Sequence, residues 1–200
     1  MGDMGLKHSG RGVSPIMLRC APRMICVVYA HPHHGRSRAN RALLDAIGAV
    51  PGAEIRRLYD LYPDFDIDVD AERAALARAD AIVLQHPVYW YSMPPLAKLW
   101  LDSVWTSGWA YGAGGTALTG KRFLWAVSTG GDGSDYRPEG KHAHAFDAFV
   151  EPIRQAALFC GMRWEAPFTL LGAHRIDDAA LADAAAAYRT RVTALAGGPA

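Results

Sequence analysis

Three stretches of this chain are apolar at almost every consecutive position: Met24-Ile25-Cys26-Val27-Val28-Tyr29-Ala30, Ala81-Ile82-Val83-Leu84-Gln85 and Phe123-Leu124-Trp125-Ala126-Val127. A strand with one wet face alternates polar and apolar side chains, whereas a strand covered on both faces does not. These runs therefore read as inner strands of a parallel sheet. Helical patterns separate them. Ser37 stands at an N-cap position ahead of Ala39, Leu43, Leu44 and Ile47, residues 70–79 form a short Ala/Arg-rich helix, and Pro94-Pro95 opens a helix through Leu96, Leu99, Trp100 and Val104. Residues 54–59 read as the second strand and 168–171 as the fifth, with helices over 146–159 and 177–195. Strands alternating with helices predict right-handed βαβ units in three layers: one α/β domain, flavodoxin-like, with a five-stranded parallel sheet in the order 2-1-3-4-5 and helices on both faces. In that order the topology reverses beside strand one, and the crevice for a ligand lies at the carboxyl ends of strands one, three and four.

The conspicuous motifs follow those three strands. After strand one comes His31-Pro32-His33-His34-Gly35-Arg36-Ser37-Arg38-Ala39-Asn40, hydroxyl, amide and basic groups around a helix N-terminus. Free N–H groups and the helix dipole make such a terminus a phosphate site, with Ser37 and Asn40 as donors and His31 beside them. Ser37 also reads as a plain N-cap, and His33, His34 and His144 as exposed loop residues. After strand three, Val88, Tyr89, Trp90 and Tyr91 put aromatics in a proline-stiffened loop where Trp90 and Tyr91 can cover a flat ligand. After strand four, Ser128-Thr129-Gly130-Gly131-Asp132-Gly133 brings the main chain close to such a ligand, and Tyr136 and His142 can give or take protons beside it. Trp105, Trp109 and Tyr111, before a glycine-rich segment, form either a substrate wall or a second core.

Composition removes several alternatives. A formal charge of +1 creates no field for nucleic acid. Cys20, Cys26 and Cys160 contain no C-x-x-C pair and an odd count argues against a disulfide framework, which points to a reducing cytosol. The histidines lack zinc spacing, so no metal site is expected. No apolar run approaches the ~18 residues of a membrane span. Residues 1–23 have neither an apolar signal core nor helical periodicity and read as a disordered leader; the domain spans 24–196, with 197–200 as a tail.

Tyr29-Ala30-His31-Pro32, Ser37-x-Ala39-Asn40, Leu61-Tyr62-Pro63-Asp64-Phe65, Gln85-His86-Pro87 with Trp90-Tyr91, Gly108-Trp109-Ala110-Tyr111-Gly112 and Thr129-Gly130-Gly131 together resemble the NAD(P)H:quinone oxidoreductases. Among them the chain is most similar to the ancillary quinone-reductase subunits of glutathione-regulated potassium efflux systems. The resemblance implies bound FMN (FAD in larger relatives), NAD(P)H as co-substrate, ping-pong hydride transfer to a quinone or related small electrophile, and a homodimer with sites at the interface. It assigns His31, Ser37, Arg38, Ala39 and Asn40 to the flavin phosphate, and Val88, Tyr89, Trp90, Tyr91, Ser128, Thr129, Gly130 and Gly131 to the surroundings of the ring. Tyr136 and His142 match the proton-handling pair of larger quinone reductases, and Trp109 and Tyr111 the substrate pocket. Ala113 stands where the larger enzymes tend to carry a second pocket tyrosine, which implies a wider pocket. The rival readings are a regulatory subunit docked on the cytosolic face of a potassium efflux membrane protein, and a flavodoxin-type electron carrier, whose usual acidic face this chain lacks. No residue that distinguishes NADPH from NADH is located by sequence.

Overall fold

The computed structural model describes residues 23–197. The expected leader and tail lie, apart from Arg23 and Gly197, outside the described residues.

Strands β1 (Ile25–Tyr29), β2 (Ala53–Arg57), β3 (Ala81–Pro87) and β4 (Arg122–Ser128) are all parallel neighbours in the order β2-β1-β3-β4. Every residue of β1 and β3, and all of β4 after Arg122, is buried, as consecutive apolar positions require of strands covered on both faces. Successive side chains alternate between two cores. Cys26, Val28, Ile82, Leu84, Phe123 and Trp125 face helices α2 (Leu58–Leu61), α3 (Val69–Arg78), α4 (Pro95–Val104) and α5 (Glu151–Phe159). Ile25, Val27, Tyr29, Val83, Leu124 and Ala126 face α1 (Arg38–Ile47) and α6 (Asp178–Gly197). The flavodoxin-like expectation is met, sheet order included.

Three departures from expectation have a local cause. The edge beyond β4 comes in two pieces, β5 (Arg163–Trp164) and β6 (Phe168–Leu170), both parallel to β4. Arg122 pairs with Arg163 but Ala126 with Phe168, so the edge carries one residue more than β4 across Glu165-Ala166-Pro167. Pro167 has no N–H for a ladder, and an edge bulge accommodates it. Sequence periodicity detected only the second piece. The second strand ends at Arg57 because buried Leu58 starts a one-turn helix. The helix expected over 146–159 starts as a 3-10 turn, Phe146–Phe149, and becomes α5 only where Pro152 falls in the first turn.

A buried carboxylate joins β2, α3 and α4. Glu72 is fully buried and accepts from Arg56 Nε at 2.8 Å, Tyr62 Oη at 2.6 Å and Trp100 Nε1 at 2.9 Å. With both oxygens occupied, its charge is compensated rather than merely tolerated.

Candidate functional site

Two adjoining cavities run along the carboxyl edge of β1, β3 and β4, with Val88, Gly130 and His174 common to both. The first, about 430 Å³, is lined by His31, Ser37, Arg38, Ala39 and Asn40, by Val88 and Tyr89, and by Ser128, Thr129 and Gly130. The second, about 420 Å³, is lined by Trp90, Tyr91, Gly131, Asp135, Tyr136, Lys141, His142 and Arg175. Each lies in the range of small-molecule sites, and together they form an elongated crevice at the switch point of the sheet.

The first cavity is built on the start of α1, whose free N–H groups suit an anion. Ser37 caps the helix by accepting from Asn40 N at 3.2 Å, which leaves the N–H groups of Arg38 and Ala39 without intrahelical acceptors. His31 is buried, and its Nδ1 accepts from His33 N at 3.0 Å, so the proton of the neutral ring sits on Nε2. Burial, then the neighbouring His34 and His33, hold the His31 pKa down to about 4. His31 therefore acts near neutrality as an uncharged donor. Beneath it Asn40 Nδ2 donates to Ser128 Oγ at 2.7 Å, Gln85 Nε2 to the Asn40 carbonyl at 3.1 Å, and Tyr188 Oη to Gln85 Oε1 at 3.0 Å. This buried chain ties α6, β3, α1 and β4 into one floor. The Asn40 Oδ1 atom is buried there without a protein partner.

The second cavity is lined by aromatic and titratable side chains. Tyr136 stacks on His142 with ring centroids 4.4 Å apart, and Tyr91 Oη stands 3.3 Å from His142 Nδ1. Burial raises the Tyr136 pKa, partly opposed by a hydrogen bond with Thr129, so its phenol keeps its proton as a donor. Gly130 and Gly131 serve here through close packing. A Cβ on Gly130 would lie 2.9 Å from His174 Cδ2, and one on Gly131 3.0 Å from His142 Nε2. The loop after β6 is stitched to that turn, Gly172 N donating to Gly131 O at 2.7 Å and Ala173 N to Thr129 O at 2.8 Å.

Support for the Val88–Tyr91 loop comes from below. His86 is fully buried, with Nδ1 2.9 Å from Pro87 O and Nε2 accepting from Trp125 Nε1 at 2.8 Å. Both ring nitrogens are thereby assigned, and burial lowers its pKa to about 4. Trp90 and Tyr91 adopt positive φ, 49° and 61°, a strained conformation for aromatic residues. Trp90 remains 93% exposed.

The structure thus gathers Tyr136, His142 and every residue assigned to phosphate or ring around one crevice, with two qualifications of chemistry. Arg38 lines the first cavity, yet its Nη1 donates to Ile176 O at 2.6 Å and its Nε to Asp178 at 3.1 Å, so it tethers the start of α6. His33 and His34 are more than loop surface: His33 lines the first cavity and His34 Nδ1 meets Tyr29 Oη at 2.9 Å. Trp109 and Tyr111 line neither cavity of their own chain. Arg73 covers the Trp109 ring at 5.2 Å, and Tyr111 packs on Phe159 at 5.0 Å. Sequence reasoning missed Asp135, Lys141, His174 and Arg175, which reach the crevice only because the loops after β4 and β6 meet. Cys26 is buried and its thiol pushed up to about 12 by burial and by Glu72, and burial likewise raises Cys160; neither serves as a nucleophile.

The fold and the crevice define a class, the flavodoxin-like domains with a ligand at the β1/β3 switch point. The family described as Flavodoxin-like fold matches residues 23–192, and the chain belongs to it. It is 50% identical over 171 residues, 86% of this chain and 96% of the relative, to the glutathione-regulated potassium-efflux system ancillary protein KefF of Salmonella typhimurium. Among solved structures it is similar to general stress protein 14 of Treponema denticola in complex with FMN, with 34% identity, TM-score 0.80, and coverage of 86% of this chain and 99% of that one. It is also similar to an NADPH-quinone reductase from P. pentosaceus, with 25% identity, TM-score 0.77, and coverage of 88% and 99%.

Proposed function

We propose that this protein is a flavin-dependent oxidoreductase that passes hydride equivalents from NAD(P)H to quinones. The observation that carries the reading is the joined crevice, an anion site on a helix N-terminus at one end and the Tyr91–His142–Tyr136 cluster at the other. The residues fit FMN: His31, Ser37, Asn40 and the α1 N–H groups would hold the phosphate, and Val88 to Tyr91 with Ser128 to Gly131 would border the ring. Bound there, the flavin would supply a two-electron hydride acceptor and donor, the chemistry the side chains lack.

The chain's own groups handle position and protons. His142 Nε2 faces the Gly131 main chain while Nδ1 is engaged by Tyr91, so the ring can hold a proton at the cavity side and exchange it through the phenol. Tyr136, protonated and stacked on that ring, offers a second donor where negative charge must be stabilised. A single ring-side cavity admits the nucleotide and the quinone in turn, which predicts ping-pong kinetics.

The same reading includes a homodimer. The almost fully exposed Trp90, the apolar 250 Å³ groove lined by Tyr91, Met93, Leu101, Phe149 and Ile153, and the 63% exposed Phe159 suit cover by a second copy. That copy would bring Trp109 and Tyr111 to the crevice from the other side. A regulatory role beside a potassium efflux protein is the second reading, favoured by the 50% identity to the KefF relative. Redox function is tested by the absorbance of the purified protein before and after anaerobic NAD(P)H and then menadione. Flavin bands near ~450 nm that bleach and return support the proposal; a protein that FMN cannot reconstitute overturns it. Light scattering on the eluted species reads the dimer.

A further inference from the structure

Two cationic side chains that proton transfer does not use line the ring-side cavity. Lys141 and Arg175 both line it, His174 stands between this cavity and the first, and Asp135 is the only carboxylate among its lining residues. The Lys141 ammonium has no ion-pair or hydrogen-bond partner among the described residues. Arg175 is held loosely: its Nη2 lies 3.4 Å from both Asp132 Oδ2 and Asp135 Oδ2, and its side chain is 68% exposed. Those carboxylates have closer partners, Asp135 Oδ2 accepting from Asp132 N at 3.0 Å and Asp132 Oδ1 from Ser134 N at 2.9 Å.

The backbone under the cations is nevertheless fixed. Gly172 and Ala173 are hydrogen-bonded to Gly131 and Thr129, Arg175 N donates to Gly172 O at 2.9 Å, and His142 N, next to Lys141, donates to Asp135 O at 3.0 Å. The loops after β4 and β6 thus bring two cationic residues to one cavity on a fixed backbone. Long cationic side chains on a rigid base are suited to an anionic group on a molecule that enters the cavity.

We infer that Lys141 and Arg175 form a recognition site for an anionic group, a phosphate monoester or a sulfonate-like equivalent, on the molecule that occupies the ring-side cavity. The inference rests on the proposed redox reading and names its substrate class. The 2′-phosphate of NADPH is one source of that charge, and an anionic substituent on the quinone is the other. Hydride transfer itself is unaltered by the site, which sets which donor or acceptor is favoured.

The test compares the flavin-loaded wild-type protein with Lys141→Ala/Arg175→Ala and Lys141→Glu. One arm measures kcat/KM for NADPH and for NADH, and NADP+ against NAD+ binding by tryptophan fluorescence. The other arm measures menadione against a sulfonated naphthoquinone. A charge-assisted contact from exposed side chains is expected to give a preference for the anionic member of a pair of about fivefold to tenfold. The preference should fall to near unity in the double variant and invert in Lys141→Glu. Preference confined to the nucleotide arm identifies the 2′-phosphate, and preference confined to the quinone arm identifies the acceptor. Equal use of both members in both arms, or a preference that survives the double substitution, overturns the inference. Oxidation of neither nucleotide would instead overturn the redox reading, and binding of NADP+ against NAD+ and of the sulfonated against the unsubstituted quinone still decides the site.

Discussion

Tyr91 Oη lies 3.3 Å from Nδ1 of His142, so an aromatic from the loop after β3 and an imidazole from the loop after β4 meet across the mouth of one cavity. The contact gives His142 a proton partner on the side away from Gly131. Replacing His142 by Ala is expected to slow anaerobic flavin reduction by about two orders of magnitude, the lower end of the usual scale for a lost acid–base group. FMN affinity should stay within about threefold, because this residue lines the second cavity and not the phosphate end. Stopped-flow reduction at an unaltered rate would remove the residue from the chemistry, and Tyr91→Phe should show a smaller loss of the same kind.

The buried His86 makes stability depend on pH. Its folded pKa of about 4 lies below the ordinary value of 6.5, so the unfolded chain binds more protons over that interval. Stability is therefore complete above about pH 6.5 and declines as pH falls toward 4, by about 2 kcal/mol between pH 7 and pH 5 from this group. Urea midpoints at the two pH values should show that decline in the wild type and a reduced decline in His86→Asn. An identical slope in the variant would mean that other groups carry the acid sensitivity.

Glu72 stabilises the packing of β2, α3 and α4. Glu72→Ala leaves Arg56 without its closest carboxylate and removes the acceptor of Tyr62 and Trp100. A loss of about 3–5 kcal/mol is expected, with the flavin spectrum of the folded fraction unaltered. Thermal unfolding checks this, and a melting temperature within about 2 °C of wild type would show that the network is dispensable.

Gly130→Ala tests the neck between the cavities. The new methyl would stand 2.9 Å from His174 Cδ2, the end of an exposed side chain that can swing aside, so the fold should survive. The displaced ring then intrudes on both cavities that it lines. FMN affinity is expected to drop about tenfold, which fluorescence titration reads directly. Unaltered affinity would show that the neck is wider than the packing implies.

Local pattern determined much of this protein. Consecutive apolar residues identified β1, β3 and β4, because burial on both faces leaves no room for alternation, and the spacing of Leu43, Leu44 and Ile47 marked the inner face of α1. The sequence motifs after those strands marked the crevice, since a parallel sheet places all such loops at one edge. Tertiary structure decided what depends on residues far apart in the chain. The edge bulge at Pro167 hid β5, a two-residue strand too short to show a period. The assignment of Arg38 to the phosphate does not say which of its groups would serve; only the packed fold shows that the start of α6, 140 residues away, engages its guanidinium. Lys141 and Arg175 look like ordinary surface charges until two loops bring them to one cavity. Periodicity reports which side of an element is buried; only the packed fold reports which side chains from different elements share a cavity, and that sharing makes the chemistry.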